Sequence, residues 1–344
     1  MPDTLNERER QVLEAVVQTY IETAEPAGSR TIAKRFPLGV SAATIRNTMS
    51  DLEERGYLYH PHTSAGRVPT DRAYRAYVDG LMWQSDLSVE ARNQLARELN
   101  RDAGVIEGIL LKAAQVLGVL TQELGVAVGP SFDQAELERL ELIQVSSERL
   151  LMVLVMRAGL ARTLFVQVAT HLPPQAVANV SAVLNERLSG LTLREIRASL
   201  RERLRDSAGS TPASELLNIF IEEADHLFES PGGEDHQLLL GSAQMLADQP
   251  EFHSNEQMRT LLDLTERRDV LREALRRRSQ PGVTVTIGAE NADPRLSAFT
   301  IVTAGYRRGA LTGVIGVMGP TRMPYRKVVT LVEHTSRLVE DLVP

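Results

Sequence analysis

Arg46 and Asn47 stand side by side in the stretch SAATIRNTMSDLEERG, residues 41–56, and their chemistry is that of reading a base edge. A guanidinium pairs bidentately with guanine, and a carboxamide does so with adenine. The small neighbours Ser41, Ala43, Thr44 and Ser50 would let such side chains approach closely. An ordinary solvated helix face carries the same residue types, so this pair alone leaves both readings open.

The element that must position them is a helix. Ser41 suits its N-cap, where a hydroxyl accepts from an otherwise orphaned backbone N–H. Ile45, Met49 and Leu52 recur at spacings of four and three, which predicts one buried stripe. At about 100° per residue, Ala43, Asn47, Ser50 and Glu54 then face outward, with Arg46 on their flank. Gly56 ends the helix as a C′ residue.

A hairpin is expected next. Tyr57-Leu58-Tyr59 and Val68 read as strands, while Pro61, Thr63, Ser64, Ala65 and Gly66 make a turn that cannot be helical. Arg67 is expected at the tip, where a cation reaches phosphate or the minor groove. His60 and His62 have no cysteine and no nearby third ligand to make a metal site, so they read as solvated histidines beside phosphate.

Upstream, Asn6 and Glu9 form a plausible capping box. Val12, Leu13, Val16, Val17, Tyr20 and Ile21 then trace one helical face. Glu25-Pro26-Ala27-Gly28 breaks the chain, Ser29 is the expected cap of a second helix, and Pro37-Leu38-Gly39 turns into the third. Two helices, a turn, a third helix and a hairpin within about 70 residues is the order of a winged helix-turn-helix. The expected DNA-contact set is Lys34, Arg35, Ser41, Ala43, Thr44, Arg46, Asn47, Ser50, His62, Thr63 and Arg67.

Charge is distributed to match. The chain of 344 residues carries a formal −7, yet residues 28–78 hold eight cations against four anions, and the remainder is −11. A basic module on an acidic body is the electrostatic footprint of a protein that touches DNA with one part only. With 43% apolar and 24% charged residues the composition is that of a globular protein of two or three domains. The absence of cysteine excludes disulfides, thiolate zinc sites and cysteine nucleophiles. The opening MPDTLNERER lacks the basic-then-apolar order of a signal peptide, and the longest apolar run, Leu150 to Met156, is too short to span a bilayer. A cytoplasmic protein is expected. No nucleophile elbow, zinc-protease or paired-carboxylate pattern stands out, and no cofactor is expected; Gly313, Gly316 and Gly319 lack the Lys-Ser/Thr of a phosphate loop and read as strand glycines. An enzyme is not expected.

Downstream, a helix leads from Asp71 to Trp83, followed by a polar linker helix over 84–103. A long apolar-periodic helix runs from Val105 to Leu124, then a buried strand over 125–129. Three strand-like runs (140–146, 150–157, 163–170) predict an antiparallel meander. Helices follow at 174–188, 193–205 and 214–228; the last carries Leu216, Leu217, Ile219, Phe220 and Ile221, a face wide enough to pack on a second subunit or within its own domain. After the loop Ser230-Pro-Gly-Gly-Glu234 come a strand (237–241), a charged helix (256–278), strands (283–288, 299–306, 311–318) and a final helix (325–342).

The runs SAATIRNTMSDLEERGYL and PHTSAGRVPT closely resemble the HrcA family of bacterial heat-inducible transcription repressors. LNERERQVLEAVVQTYIETAEPAGSRTIAKRF, YRAYVDGL and GVIGVMGPTRMPYRKVVTLVEHTSRLVEDL extend the likeness over nearly the whole chain. The expected fold is α+β and multidomain: a winged helix-turn-helix (1–83), the linker helix, a GAF-like sandwich with an antiparallel sheet (104–135 and 232–344), and an inserted α+β dimerisation domain (136–231). The resemblance implies a homodimer on the CIRCE inverted repeat of chaperone operons, kept active by a GroEL-type chaperonin. The second reading is a winged-helix regulator whose sandwich senses a small molecule; a third makes the winged helix a protein-docking module.

Overall fold

The computed structural model describes residues 5–62, 66–81, 95–99, 106–129, 135–157, 161–168, 172–205, 212–223, 227–228, 238–278, 280–308 and 311–342. Helix α1 (Glu7–Thr23) opens on the expected capping box: Asn6 Oδ1 accepts from the Glu9 N–H at 2.9 Å, and Glu9 Oε2 from the Asn6 N–H at 2.8 Å. It buries Val12, Leu13, Val16 and Val17. Helix α2 (Ser29–Arg35) starts one residue earlier than expected. Gly28 is its N-cap and makes no side-chain cap bond, so Ser29 is already helical rather than capping. Helix α3 (Ala42–Glu54) follows, then the strand pair β1 (Leu58–Tyr59) and β2 (Val68–Pro69), antiparallel with Tyr59 opposite Val68. Helix α4 (Asp71–Leu81) is capped by Thr70, whose Oγ1 accepts from the Ala73 N–H at 3.4 Å. Trp83 and most of the expected linker helix lie outside the described residues, although 95–99 are helical with Leu95 and Leu99 buried.

This module shares one compact unit with α5 (Ile106–Thr121) and most of a mixed helix-and-sheet body. Its five-stranded sheet has the order β7-β3-β10-β9-β8, with β3 at Leu124–Val128, β7 at Leu238–Leu240, β8 at Gly282–Ile287, β9 at Phe299–Arg308 and β10 at Leu311–Pro320. Strands β8 and β9 pair antiparallel in unbroken register from Gly282↔Gly305 to Ile287↔Thr300. The strand glycines permit close packing as expected: a Cβ on Gly316 would lie 2.1 Å from the Val302 carbonyl, and one on Gly319 1.9 Å from the Glu123 carboxylate. After the short α9 (Gln244–Ala247), the single charged helix expected over 256–278 is two, α10 (Asn255–Glu266) and α11 (Arg268–Arg276). They part at Arg267, whose ψ of 68° leaves the helical region.

The second unit holds the antiparallel meander β4 (Leu137–Ser146), β5 (Arg149–Met156) and β6 (Ala161–Gln167), with helices α6 (Pro174–Leu188), α7 (Leu193–Arg203) and α8 (Pro212–Glu222). Asn185 on α6 closes the outer edge of β4: its Oδ1 accepts from the Leu140 N–H at 2.7 Å and its Nδ2 donates to the Leu140 carbonyl at 2.6 Å. One meander face buries Leu150, Met152, Leu154 and Met156. Alternation sends Ile143, Leu151 and Phe165, mutually opposed in register, to the other. On that face Ile143, Val145 and Phe165 are 47%, 57% and 53% exposed. The wide face of α8 is instead occupied: Leu216 and Phe220 are fully buried and Leu217 is 4% exposed. Of the two readings open for that helix, burial within its own unit is the observed one. The final helix α12 spans Tyr325–Leu342, as the periodicity predicts.

Candidate nucleic-acid interface

Helix α3 is built as its spacing requires. Ser41 Oγ accepts from the Thr44 N–H at 3.1 Å, and its hydroxyl lies 3.0 Å from that of Thr44. Ile45, Met49 and Leu52 are buried, which roots the helix in the module. The chain leaves through Gly56 at φ +74°, a left-handed conformation that glycine adopts without a Cβ clash. Turned outward, Ala43, Arg46 and Asn47 are exposed, while Thr44 and Ser50 are half-buried. The N-terminal half of α3 therefore offers methyl, hydroxyl, guanidinium and carboxamide groups on one open surface.

Lys34, at the end of α2, is also exposed. Its neighbour Arg35 is engaged: it pairs with Glu22, and its guanidinium carbon sits 5.7 Å from the Phe36 ring centroid. In the hairpin, His62 is exposed and Thr63 lies outside the described residues.

Arg67 departs most from expectation. It is tied back to the module rather than held out at a free tip, because its backbone exchanges hydrogen bonds of 2.8 and 2.9 Å with Ala27 between α1 and α2. Gly66 makes that contact possible; a Cβ there would come within 2.4 Å of the Ala27 carbonyl group. The Arg67 side chain, 13% exposed, pairs with Glu53 Oε2 at 2.8 Å, and Glu53 Oε1 lies 2.6 Å from His60 Nδ1. Glu53 thus ties the end of α3 to His60, which follows β1, and to Arg67, which precedes β2. Spacing did not single out Glu53: it is fourteen residues from Arg67, beyond any helical or hairpin rule. Among the described residues no group of metal-ligating side chains forms a site, and His60 is committed to Glu53.

The helix-and-sheet body opens a cleft of about 370 Å³ lined by Gln115, Gly118, Val119, Leu240, Gly241, Ser242 and Met245. Its lining contains no ionisable side chain.

Three helices, a two-stranded wing and an exposed Arg–Asn pair on the third helix define the class: a winged helix-turn-helix DNA-binding protein. The family model "HrcA protein C terminal domain" matches residues 107–329. The heat-inducible transcription repressor HrcA of Chlorobium phaeobacteroides (strain BS1) is 41% identical over 96% of this chain and 96% of its own length. The repressor of the same name from Carboxydothermus hydrogenoformans is 37% identical over 98% of each chain. A crystal structure of a hypothetical protein shares the fold with a TM-score of 0.65 at 23% identity, over 98% of each chain. The chain belongs to the HrcA family of heat-inducible transcription repressors, and the family's proteins are not enzymes. No helix among the described residues is long and apolar enough to cross a membrane.

Proposed function

We propose that this chain represses transcription as a cytoplasmic homodimer on an inverted-repeat operator. The observation that carries this is the open, Ser41-capped face of α3, with Arg46 and Asn47 exposed above a fully buried stripe. A two-fold dimer presents two such helices to successive major grooves, and the operator's symmetry matches it. The DNA-contact set is Lys34, Ser41, Ala43, Thr44, Arg46, Asn47, Ser50, His62 and Thr63. Within it, Arg46 and Asn47 read bases and Lys34 meets phosphate. Arg35 and Arg67 act through the module's own carboxylates, Glu22 and Glu53.

The operator is the CIRCE repeat upstream of chaperone genes, and a GroEL-type chaperonin keeps the repressor competent. Heat diverts the chaperonin to unfolded clients, and repression lapses. Footprinting on the organism's chaperone promoters, with and without chaperonin, tests this. Protection of an inverted repeat that strengthens with chaperonin is expected; protection that is indifferent to chaperonin but responds to a metabolite transfers the sensing role to the sandwich.

The dimer forms through the open apolar face of the meander, since large apolar side chains left exposed together mark an interaction surface. Phe165→Asp is expected to yield a monomer in sedimentation equilibrium. It should also lower inverted-repeat affinity roughly 100-fold or more, because the second half-site then binds without the benefit of tethering. A variant that stays dimeric removes this face from the interface.

A further inference from the structure

The winged helix is fastened to the sandwich by polar contacts between residues more than 200 positions apart, and helix α4 carries most of them. Arg75 Nε donates to Glu290 Oε1 at 2.8 Å, its Nη2 pairs with the other carboxylate oxygen, and the same Nη2 donates to the Val285 carbonyl at 2.7 Å. Asp71 Oδ2 accepts from the Ala289 N–H at 2.9 Å. Gly288, at φ +54°, lies so close that a Cβ would fall 1.9 Å from that carboxylate oxygen. Tyr74 and Tyr77 set their rings 5.7 and 6.5 Å from that of Tyr325, at the start of α12.

A second fastening joins α1. Its last turn carries no cation of its own. Arg322 supplies the charge from the sandwich: its Nη1 donates to the Ile21 carbonyl at 2.9 Å, while Nε and Nη2 grip the Glu251 carboxylate. At only 15% side-chain exposure, Arg322 is a structural cation rather than one offered to DNA.

We propose that Arg75, Asp71 and Arg322 are positioning residues for operator binding. Together with Glu290, Gly288 and Glu251 they hold the recognition helix at one orientation on the sandwich. The orientation of each recognition helix is then inherited from the body that carries it, not left to the covalent connection after α4. The clasp acts on which half-site spacing is accepted, and leaves base reading within a half-site to α3. This inference rests on the dimeric-repressor reading. It makes the sandwich a ruler for the operator.

The experiment uses the full-length dimer and duplexes carrying one half-site, the inverted repeat, or the repeat with its centre lengthened by a half-turn of about 5 base pairs. Glu290→Arg repels Arg75, and Gly288→Val drives a side chain into Asp71; both changes lie on the sandwich side. Wild type is expected to lose roughly tenfold or more in affinity on the lengthened repeat, because a rigid pair cannot engage both half-sites. Each variant should bind the single half-site as wild type does and lose most of the discrimination between the two repeats. The charge swap Arg75→Glu with Glu290→Arg should restore it. Variants that keep wild-type spacing preference, or lose half-site and full-site binding in parallel, overturn the clasp. A wild type that binds the inverted repeat no better than one half-site overturns the dimeric-repressor reading first, and the clasp with it.

Discussion

Helices α3 and α4 are neighbours in one module, each amphipathic and each carrying arginine, Arg46 on the one and Arg72 and Arg75 on the other, yet those charges are placed in opposite ways. On α3, Arg46 is exposed beside Asn47. On α4, Arg75 is committed to Glu290, and the Arg72 guanidinium lies 4.4 Å from the Tyr57 ring centroid while donating to the Arg55 carbonyl at 2.7 Å. The same holds for much of the module's positive charge, since Arg35 pairs with Glu22, Arg55 with Glu9 and Arg67 with Glu53. Of the eight cations between residues 28 and 78, these five are engaged by other groups of the protein. A count of basic residues therefore overstates the surface offered to phosphate. Most of the apparent footprint serves to assemble and mount the reading head.

The comparison is broken most directly by arginine truncations. Arg46→Ala is expected to cost about 1–3 kcal/mol of operator affinity and to relax specificity, as loss of a bidentate base contact does. Its melting temperature should stay that of wild type. Arg67→Ala should behave differently and lower thermal stability together with affinity, because it leaves Glu53 without one of its partners and loosens the wing. If calorimetry and DNA titration give the two variants the same pattern, the division into reading and mounting arginines fails.

Two carboxylates on the mounting side sharpen the contrast through pH. For Glu290, burial opposes ionisation, but hydrogen bonds from Arg75 and the Ile287 N–H outweigh it, so its pKa lies below the ordinary 4.5. A carboxylate lowered on folding contributes stability that is present above 4.5 and lost as pH falls through its folded value. The melting-temperature difference between wild type and Glu290→Gln should therefore shrink on acidification below that point. Glu123 is the opposite case. Burial pushes its pKa well above 4.5, even though Gln249 Nε2 donates to it at 3.0 Å. A raised carboxylate stabilises the fold while it can stay protonated, and that contribution declines as pH rises above 4.5. Glu123→Gln should flatten the fall in melting temperature on the alkaline side. Equal pH profiles for the two substitutions would contradict these environments.

The smallest expected effect belongs to Lys34. A phosphate contact carries no sequence information, so Lys34→Ala should weaken operator and random duplexes alike and reduce the salt slope by about 1. Sequence-selective loss would move Lys34 into the base-reading set.

Much of this was legible in the residues because it is local. Ser41, the Ile45–Met49–Leu52 stripe and Gly56 act within one or two helical turns, and α3 begins and ends where they place it. The final helix and the meander are equally legible, since periodicities of 3.6 and 2 report which side is buried. Legibility failed where a partner lies far along the chain. Nothing near Arg67 announces Glu53 or Ala27, so the arginine was expected free at the tip and is found tied to both. The apolar face of α8 looked available, but only packing decides which hydrophobic surface is left over, and here it is the outer side of the meander.

By itself, then, the sequence determined the reading head: its caps, its buried stripe, the Arg–Asn pair above it and the family to which the motifs point. Tertiary structure alone decided which cations remain exposed, which apolar face is left uncovered, and how the winged helix is held by Glu290, Gly288 and Arg322. The physical reason is range. Capping and periodicity are settled between residues a few positions apart, whereas an ion pair exists only once folding has brought its two halves together.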